Sequence, residues 1–248
     1  RITKIVVKDY WVSDKNLMDT LDRLSDFSNQ ESTYYFAPRR IIKDLNSEIS
    51  WNVDSETNRK LSEILSDSDT GAVIFGNGEK GYLIEPPFPF ADDDQYSNYE
   101  FYPLIDSLNK PRVIGVISLR LGKFAVGVYH GRELISSKTG SRYVKGRHRA
   151  GGSSATRFSR IREKQKTELF DKVCDIAYTQ FSNYWDQLEW VFLSGERMTL
   201  KRFFDSCEKL NTTKSLVSPR VLNVREPSRR ALEWLPQDIW KCHVYEFD

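Results

Sequence analysis

Residues 112–138 constrain the fold more than any other stretch. Arg112–Leu119 (RVIGVISL), Lys123–Tyr129 (KFAVGVY) and Arg132–Lys138 (RELISSK) are three β-patterned runs, separated only by Arg120-Leu121-Gly122 and His130-Gly131. Connections this short cannot carry a crossover, so the runs pair as an antiparallel meander. A long helix is expected from about Arg157 to Trp185, with Leu169, Val173, Ile176/Ala177 and Phe181 on one face.

Beyond it the apolar pattern predicts a strand at Trp190–Ser194, a helix at Leu200–Leu210, a strand at Arg220–Val224, a helix at Ser228–Trp234 and a final strand at Cys242–Phe247. Three antiparallel strands followed by alternating helices and strands describe an α/β domain with a mixed sheet. The number and order of elements match an RNase H-like layout. Asn109-Lys110-Pro111 is the best domain boundary, which divides the chain into residues 1–110 and 111–248. The first part reads as a smaller α+β domain. It has a strand over residues 1–10, a helix carrying Leu17, Leu21, Leu24 and Phe27, a second helix at Ser55–Leu65, and a hairpin from Thr70 to Glu85 turning at Gly76-Asn77-Gly78. A short helix follows at Glu100–Leu108. Residues 32–54 are poorly periodic, and Ala91–Tyr99 reads as a polar loop.

The chain has 248 residues, 39% hydrophobic and 13% aromatic, enough to bury a core. Cys174, Cys207 and Cys242 are widely spaced and form no CxxC pair, so they read as three small buried residues in a reducing cytosol. No apolar run reaches 18 residues, so no membrane span is expected and the reading is a soluble cytoplasmic protein.

Charge is unevenly distributed. From Lys138 to Lys166 there are ten Lys/Arg and one acid, Glu163, whereas the rest of the chain holds 27 bases against 34 acids. Arg142, Lys145, Arg147, His148 and Arg149 precede Gly151-Gly152; Arg157, Arg160, Arg162, Lys164 and Lys166 follow. Paired glycines let a backbone approach a ligand closely, and a concentrated positive segment suits a polyphosphate. The segment is not a P-loop, because no GxxxxGK[ST] is present. Ser153 and Ser154 lack a carboxylate placed to orient His148, which argues against a serine triad. The three His and three Cys show no metal-ligand spacing, and Asp92-Asp93-Asp94 reads as a solvated loop. The meander carries only Glu133, too little acid for a two-metal nuclease. No metal and no cofactor are expected.

Residues 151–162, GGSSATRFSRIR, resemble the GGQ loop and following helix of archaeal and eukaryotic class 1 peptide-chain release factors, which typically read GGQSALRFARLR. Gly151, Gly152, Ser154, Ala155, Arg157, Phe158, Arg160 and Arg162 fall in register. The wider context, SRYVKGRHRAGGSS followed by REKQ, is similar to the Vms-like release factor family of bacteria, peptidyl-tRNA hydrolase-like proteins related to ribosome quality-control factors. The resemblance covers about Pro111–Asp248, and TGAVIFGNGEKGYLIEPPFP looks like the N-terminal part of such proteins.

The resemblance implies an RNase H-like middle domain whose loop enters the large ribosomal subunit at the tRNA 3′ end, with rRNA and peptidyl-tRNA as partners. Gly151 and Gly152 would take the glycine positions, Ser153 and Ser154 would line the reacting bond, and the basic residues would grip RNA. The Gln of the family falls on Ser153, or on Ala155 in the bacterial register, and the nearest Gln is Gln165. Hydrolysis of the peptidyl-tRNA ester, cleavage of the tRNA 3′ end, and an inactive ribosome-binding relative all stay open.

Overall fold

The computed structural model describes residues 7–24, 32–77, 80–144, 146, 153–224 and 226–247. Phe27, Gly78, Lys145, Arg147, His148, Arg149, Gly151, Gly152 and the first six residues of the expected opening strand lie outside them, as do the side chains of Leu24, Ser153 and Ser154.

In chain order the elements are β1 (Val7–Val12), α1 (Asp14–Leu24), β2 (Ser32–Phe36), α2 (Ser55–Asp67), β3 (Ala72–Gly76), β4 (Gly81–Glu85), β5 (Asp94–Tyr96), α3 (Tyr102–Asn109), β6 (Val113–Arg120), β7 (Lys123–His130), β8 (Glu133–Ser141), α4 (Ser153–Ser182), β9 (Leu188–Gly195), α5 (Arg197–Ser206), β10 (Val217–Leu222), α6 (Arg229–Ile239) and β11 (Cys242–Phe247). They form two compact units. One contains residues 1–110 and 237–248; the other contains 111–236.

The first unit is an antiparallel sheet of order β1-β11-β4-β3-β2-β5. Two strands here escape the sequence pattern. β2 buries Thr33, Tyr34, Tyr35 and Phe36 in succession, because both of its faces are covered, and a doubly covered strand loses the alternation that marks a half-exposed one. Tyr34 and Phe36 join a cluster with Leu45, Trp51, Leu61 and Phe247. Tyr35 meets Phe90 edge-on and donates to the Glu100 carbonyl at 2.6 Å. β5 is a three-residue edge inside the stretch expected to be a polar loop. The aspartates there are structural: Asp93 accepts from the Ala37 amide at 2.7 Å and pairs with Arg40, and Asp94 accepts from the Tyr96 hydroxyl at 2.6 Å. Among the described residues no group of three or more His, Cys, Asp or Glu side chains is placed to hold a metal.

The last strand corrects the expected domain assignment. Cys242–Phe247 falls not with 111–236 but between β1 and β4, with Val7 opposite Phe247 and His243 opposite Glu85. Alternation in CHVYEF announces a strand without saying which sheet will take it, and chain proximity points to the wrong one. The preceding residues fix it there: the Trp240 indole donates to the Leu108 carbonyl at 3.1 Å and packs edge-on against Phe88. On β11, His243 lies between two acids. Its Nε2 is 2.8 Å from Asp9, and its Nδ1 is 2.8 Å from the Tyr245 hydroxyl, which donates to Glu85 at 2.9 Å. Trp11 stacks on the ring.

The second unit is a mixed sheet of order β10-β9-β6-β7-β8, with β6, β7 and β8 antiparallel and β9 and β10 parallel to β6. The β6–β7 and β7–β8 turns use Gly122 and Gly131 at φ 103° and 57°, a region a side chain avoids. β6 and β7 are buried on both faces. Phe124, Val126 and Val128 meet the core under α4 and α5; on the opposite face Tyr129 donates to the Leu232 carbonyl of α6 at 2.7 Å. Burial pushes the Tyr129 phenol well above its ordinary value.

α4 runs earlier and ends earlier than the expected 157–185. Its second half buries Leu169, Val173, Ala177 and Phe181 completely, each worth roughly 1.5–3 kcal/mol on the larger side chains. The Phe181 ring lies over Gly115, where an added Cβ would come within 2.7 Å of it. Cys174 and Cys207, read as free thiols, are joined in a disulfide at a Cα separation of 5.6 Å. They are 33 residues apart, and only the packing of α4 beside the end of α5 brings them together. Cys242 is buried and takes no part in the disulfide.

Two outcomes follow from this packing. Gly115→Ala is expected to cost about 1–3 kcal/mol by forcing Phe181 off β6, measured as a lower urea midpoint; an unchanged midpoint would refute the close approach. Burial works against a charged His243, but hydrogen bonds and charges from Glu85 and Asp9 outweigh it and raise the pKa above its ordinary 6.5. Such stability is fully present below the unfolded value and is lost as pH rises through the raised folded value. His243→Gln should therefore cost about 1 kcal/mol near pH 6, the worth of one half-screened charged hydrogen bond, and far less at alkaline pH. A cost that does not change with pH would exclude a charged ring.

Candidate nucleic-acid interface

The basic segment leaves β8 from a fixed root. The Arg142 amide donates to the Gly122 carbonyl at 2.9 Å, which ties the segment to the β6–β7 turn. The Arg142 guanidinium donates from Nε and Nη2 to Glu168 of α4 at 3.2 and 2.7 Å. Lys172 Nζ reaches the Ser141 carbonyl at 3.2 Å. The Arg142 hydrogen bond, with a weaker pull from Lys164, holds the Glu168 carboxyl below its ordinary range. Arg142 thus clamps the root of the segment to the helix, a role the sequence reading, which groups it with the free cations, does not foresee.

Ser153 and Ser154 form the first turn of α4. The described side chains before Leu169 are exposed or half-buried, so this half of the helix extends from the core for about four turns, or ~24 Å. Its composition explains this: from Thr156 to Glu168 only Phe158 and Ile161 are apolar. A 100° step per residue places Arg157, Arg160 and Lys164 within an arc of about 60°. All three are exposed and make no ion pair among the described residues.

Arg162 is turned about 140° from Arg157, away from that stripe. It is half-buried, and its Nε is shut off from solvent with no hydrogen-bond partner among the described residues. It lines a cleft of about 490 Å³ between α4 and the start of α5, together with Glu163, Lys166, Glu196, Met198 and Arg202. Glu163, the one acid of the basic segment, accepts from Lys166 at 2.6 Å and from Arg202 at 2.7 Å. The Lys166 bond, then the Arg202 bond, hold its carboxyl low. Glu196 caps α5, accepting from the amides of Met198 and Thr199 at 2.9 and 2.7 Å and from the Thr199 hydroxyl at 2.7 Å. The sequence reading missed Arg202 and Glu196. Glu196 followed three residues later by Thr199 is a local capping signal; nothing local points Arg202 at Glu163, 39 residues away.

Of the basic residues that flank Gly151-Gly152 in the sequence, the described ones therefore divide into a clamp (Arg142), an open stripe (Arg157, Arg160, Lys164) and a cleft wall (Arg162, Lys166). No helix of the described residues is long and apolar enough to cross a membrane.

The amino-acid sequence matches a family of translation factors. Residues 112–245 match the family model described as the Actinobacteria/chloroflexi VLRF1 release factor. Peptide chain release factor subunit 1 of Archaeoglobus fulgidus is 27% identical over 219 residues, covering 77% of this chain and 54% of that protein. The Methanopyrus kandleri protein of the same name is 25% identical over 219 residues, covering 77% and 53%. The chain thus spans about half the length of these curated relatives. Among solved structures, the archaeal translation termination factor aRF1 aligns at a TM-score of 0.40 and 17% identity, over 89% of this chain and 68% of that one. The Vms1 mitochondrial localization core aligns at 0.39 and 14%, over 69% and 74%.

Proposed function

This chain belongs to the actinobacterial and chloroflexi VLRF1 release factor family, and on that premise we propose that it is a translation factor of ribosome rescue that acts on peptidyl-tRNA in stalled large ribosomal subunits. The observation that carries the reading is the half of α4 that emerges from the core. It begins directly after Gly151-Gly152, presents Arg157, Arg160 and Lys164 on one open face, and lies inside the family match. The sheet order β10-β9-β6-β7-β8, with its antiparallel meander and two parallel strands, supports an RNase H-like middle domain of the release-factor type. The proposed setting is the cytoplasm, and residues 1–110 with β11 would form the accessory unit.

In this reading the open stripe grips rRNA and tRNA phosphates, and the glycines let the loop backbone pass beside the tRNA 3′ end. Water adds to the ester carbonyl carbon, the bond to the ribose oxygen breaks, and the products are a peptide carboxylate and a free tRNA hydroxyl. Backbone N–H groups stabilise the oxyanion, and the Ser153 and Ser154 hydroxyls order the water. A serine has less reach than the glutamine amide of related release factors, so turnover is expected to be slow. The absence of a glutamine between Gly152 and Gln165 favours one second reading, a ribosome-binding relative without catalysis.

Release of peptide from peptidyl-tRNA on purified large subunits tests the first reading. Wild-type release, a drop of 100-fold or more with Gly152→Ala, and faster release with Ser153→Gln are expected. Subunit binding that is lost with Arg157→Glu/Arg160→Glu, together with no release by wild type, would favour the second. Failure to bind subunits at low salt would remove both.

A further inference from the structure

We infer that the cleft between α4 and α5 is a second RNA contact, separate from the open stripe, in which Arg162 takes one phosphate of the RNA backbone and Met198 packs against the adjoining nucleotide. The inference rests on the reading of the chain as an RNA-gripping factor and deepens it.

The cleft brings together three cations, Arg162, Lys166 and Arg202. Arg162 and Lys166 are i and i+4 on one helix, a spacing at which like charges repel. The two carboxylates present do not resolve this. Glu163 is occupied by Lys166 and Arg202, and Glu196 by the cap of α5. Arg162 makes no hydrogen bond or ion pair among the described residues, and its Nε is sealed from water. Arg162 nevertheless lines the cleft, where an incoming anion offsets the local excess of cations. The planar guanidinium fork matches a phosphate, and Arg202 lines the same space.

Two features point to a phosphate within RNA rather than a free anion. The cleft lies on the α4 half that emerges from the core, about 14 Å along the axis from Ser153 and turned away from the stripe, so an RNA that reaches both faces of this helix is gripped twice. The cleft wall is also half apolar. Met198 is 62% exposed and Leu121 40% exposed, and a flexible thioether packs against a base or sugar of any sequence. About 490 Å³ accommodates one nucleotide.

The test uses the full chain and a fluorescently labelled RNA hairpin with a single-stranded CCA 3′ end. Arg162→Gln is expected to weaken binding at least 10-fold and to reduce the slope of log affinity against log salt by about 1. Arg162→Lys should recover part of the loss, and a photo-crosslinker at position 198 should join the hairpin. Arg202→Gln, on an exposed side chain, repeats the test with a smaller loss of about threefold and covers the case in which Arg162→Gln does not fold. Hairpin binding by folded Arg162→Gln within twofold of wild type, while Arg157→Glu/Arg160→Glu abolishes it, overturns the cleft contact and leaves the RNA reading intact. If neither change weakens binding, both fail. If millimolar inorganic phosphate or ATP raises the melting temperature through Arg162 while hairpin binding ignores it, the cleft holds a small anion and the inference is wrong.

Discussion

Everything chemical in the second unit hangs on the burial of half a helix. Leu169, Val173, Ala177 and Phe181 seat α4 on β6 and β7, with Gly115 making room for the Phe181 ring. Those contacts fix the axis, and the axis fixes where Ser153 to Lys166 project. The helix could not extend from a poorly packed base, because an isolated helical stretch of this length is marginal in water. The Arg142–Glu168 pair and the disulfide between Cys174 and Cys207 secure the same base from two other sides. A long helix with one apolar half and one basic half is therefore a lever with a fixed fulcrum.

Along this lever, electrostatics divides the labour. The segment carries far more positive charge than its single acid, Glu163, can neutralise, yet the cations are not equivalent. Arg142 and Lys166 are bound to carboxylates, and Glu163 and Glu168 are held ionised by them. Surface pairs of this kind contribute little to stability. Their effect is to orient side chains, while Arg157, Arg160 and Lys164 stay open to a polyanion. Arg162, on the other side of the helix, faces a different space. Counting positive residues along the chain treats all of these alike; the helical rotation separates them.

How much was legible in the sequence depended on how local its causes were. The meander was readable because short turns at Gly122 and Gly131 leave antiparallel pairing as the available solution, and α4 because Leu169 to Phe181 repeat at helical spacing. The Gly-Gly motif and its basic flanks were readable as residues, and the family followed from them. β2 was hidden because STYYF is buried on both faces and shows no alternation. The disulfide, the Arg202–Glu163 pair and the place of β11 depend on segments 33, 39 and more than 150 residues apart, which no window along the chain contains.

The position of β11 also sets an order of events during synthesis. β11 sits between β1 and β4, so the first sheet has a gap in its middle until residues 242–247 have been made. Residues 111–236 contain every strand of their own sheet and can complete it earlier. Of the two units, the one with the earlier strands thus closes after the other, and its half-made sheet waits with open strand edges, the kind of edge that invites pairing with other chains.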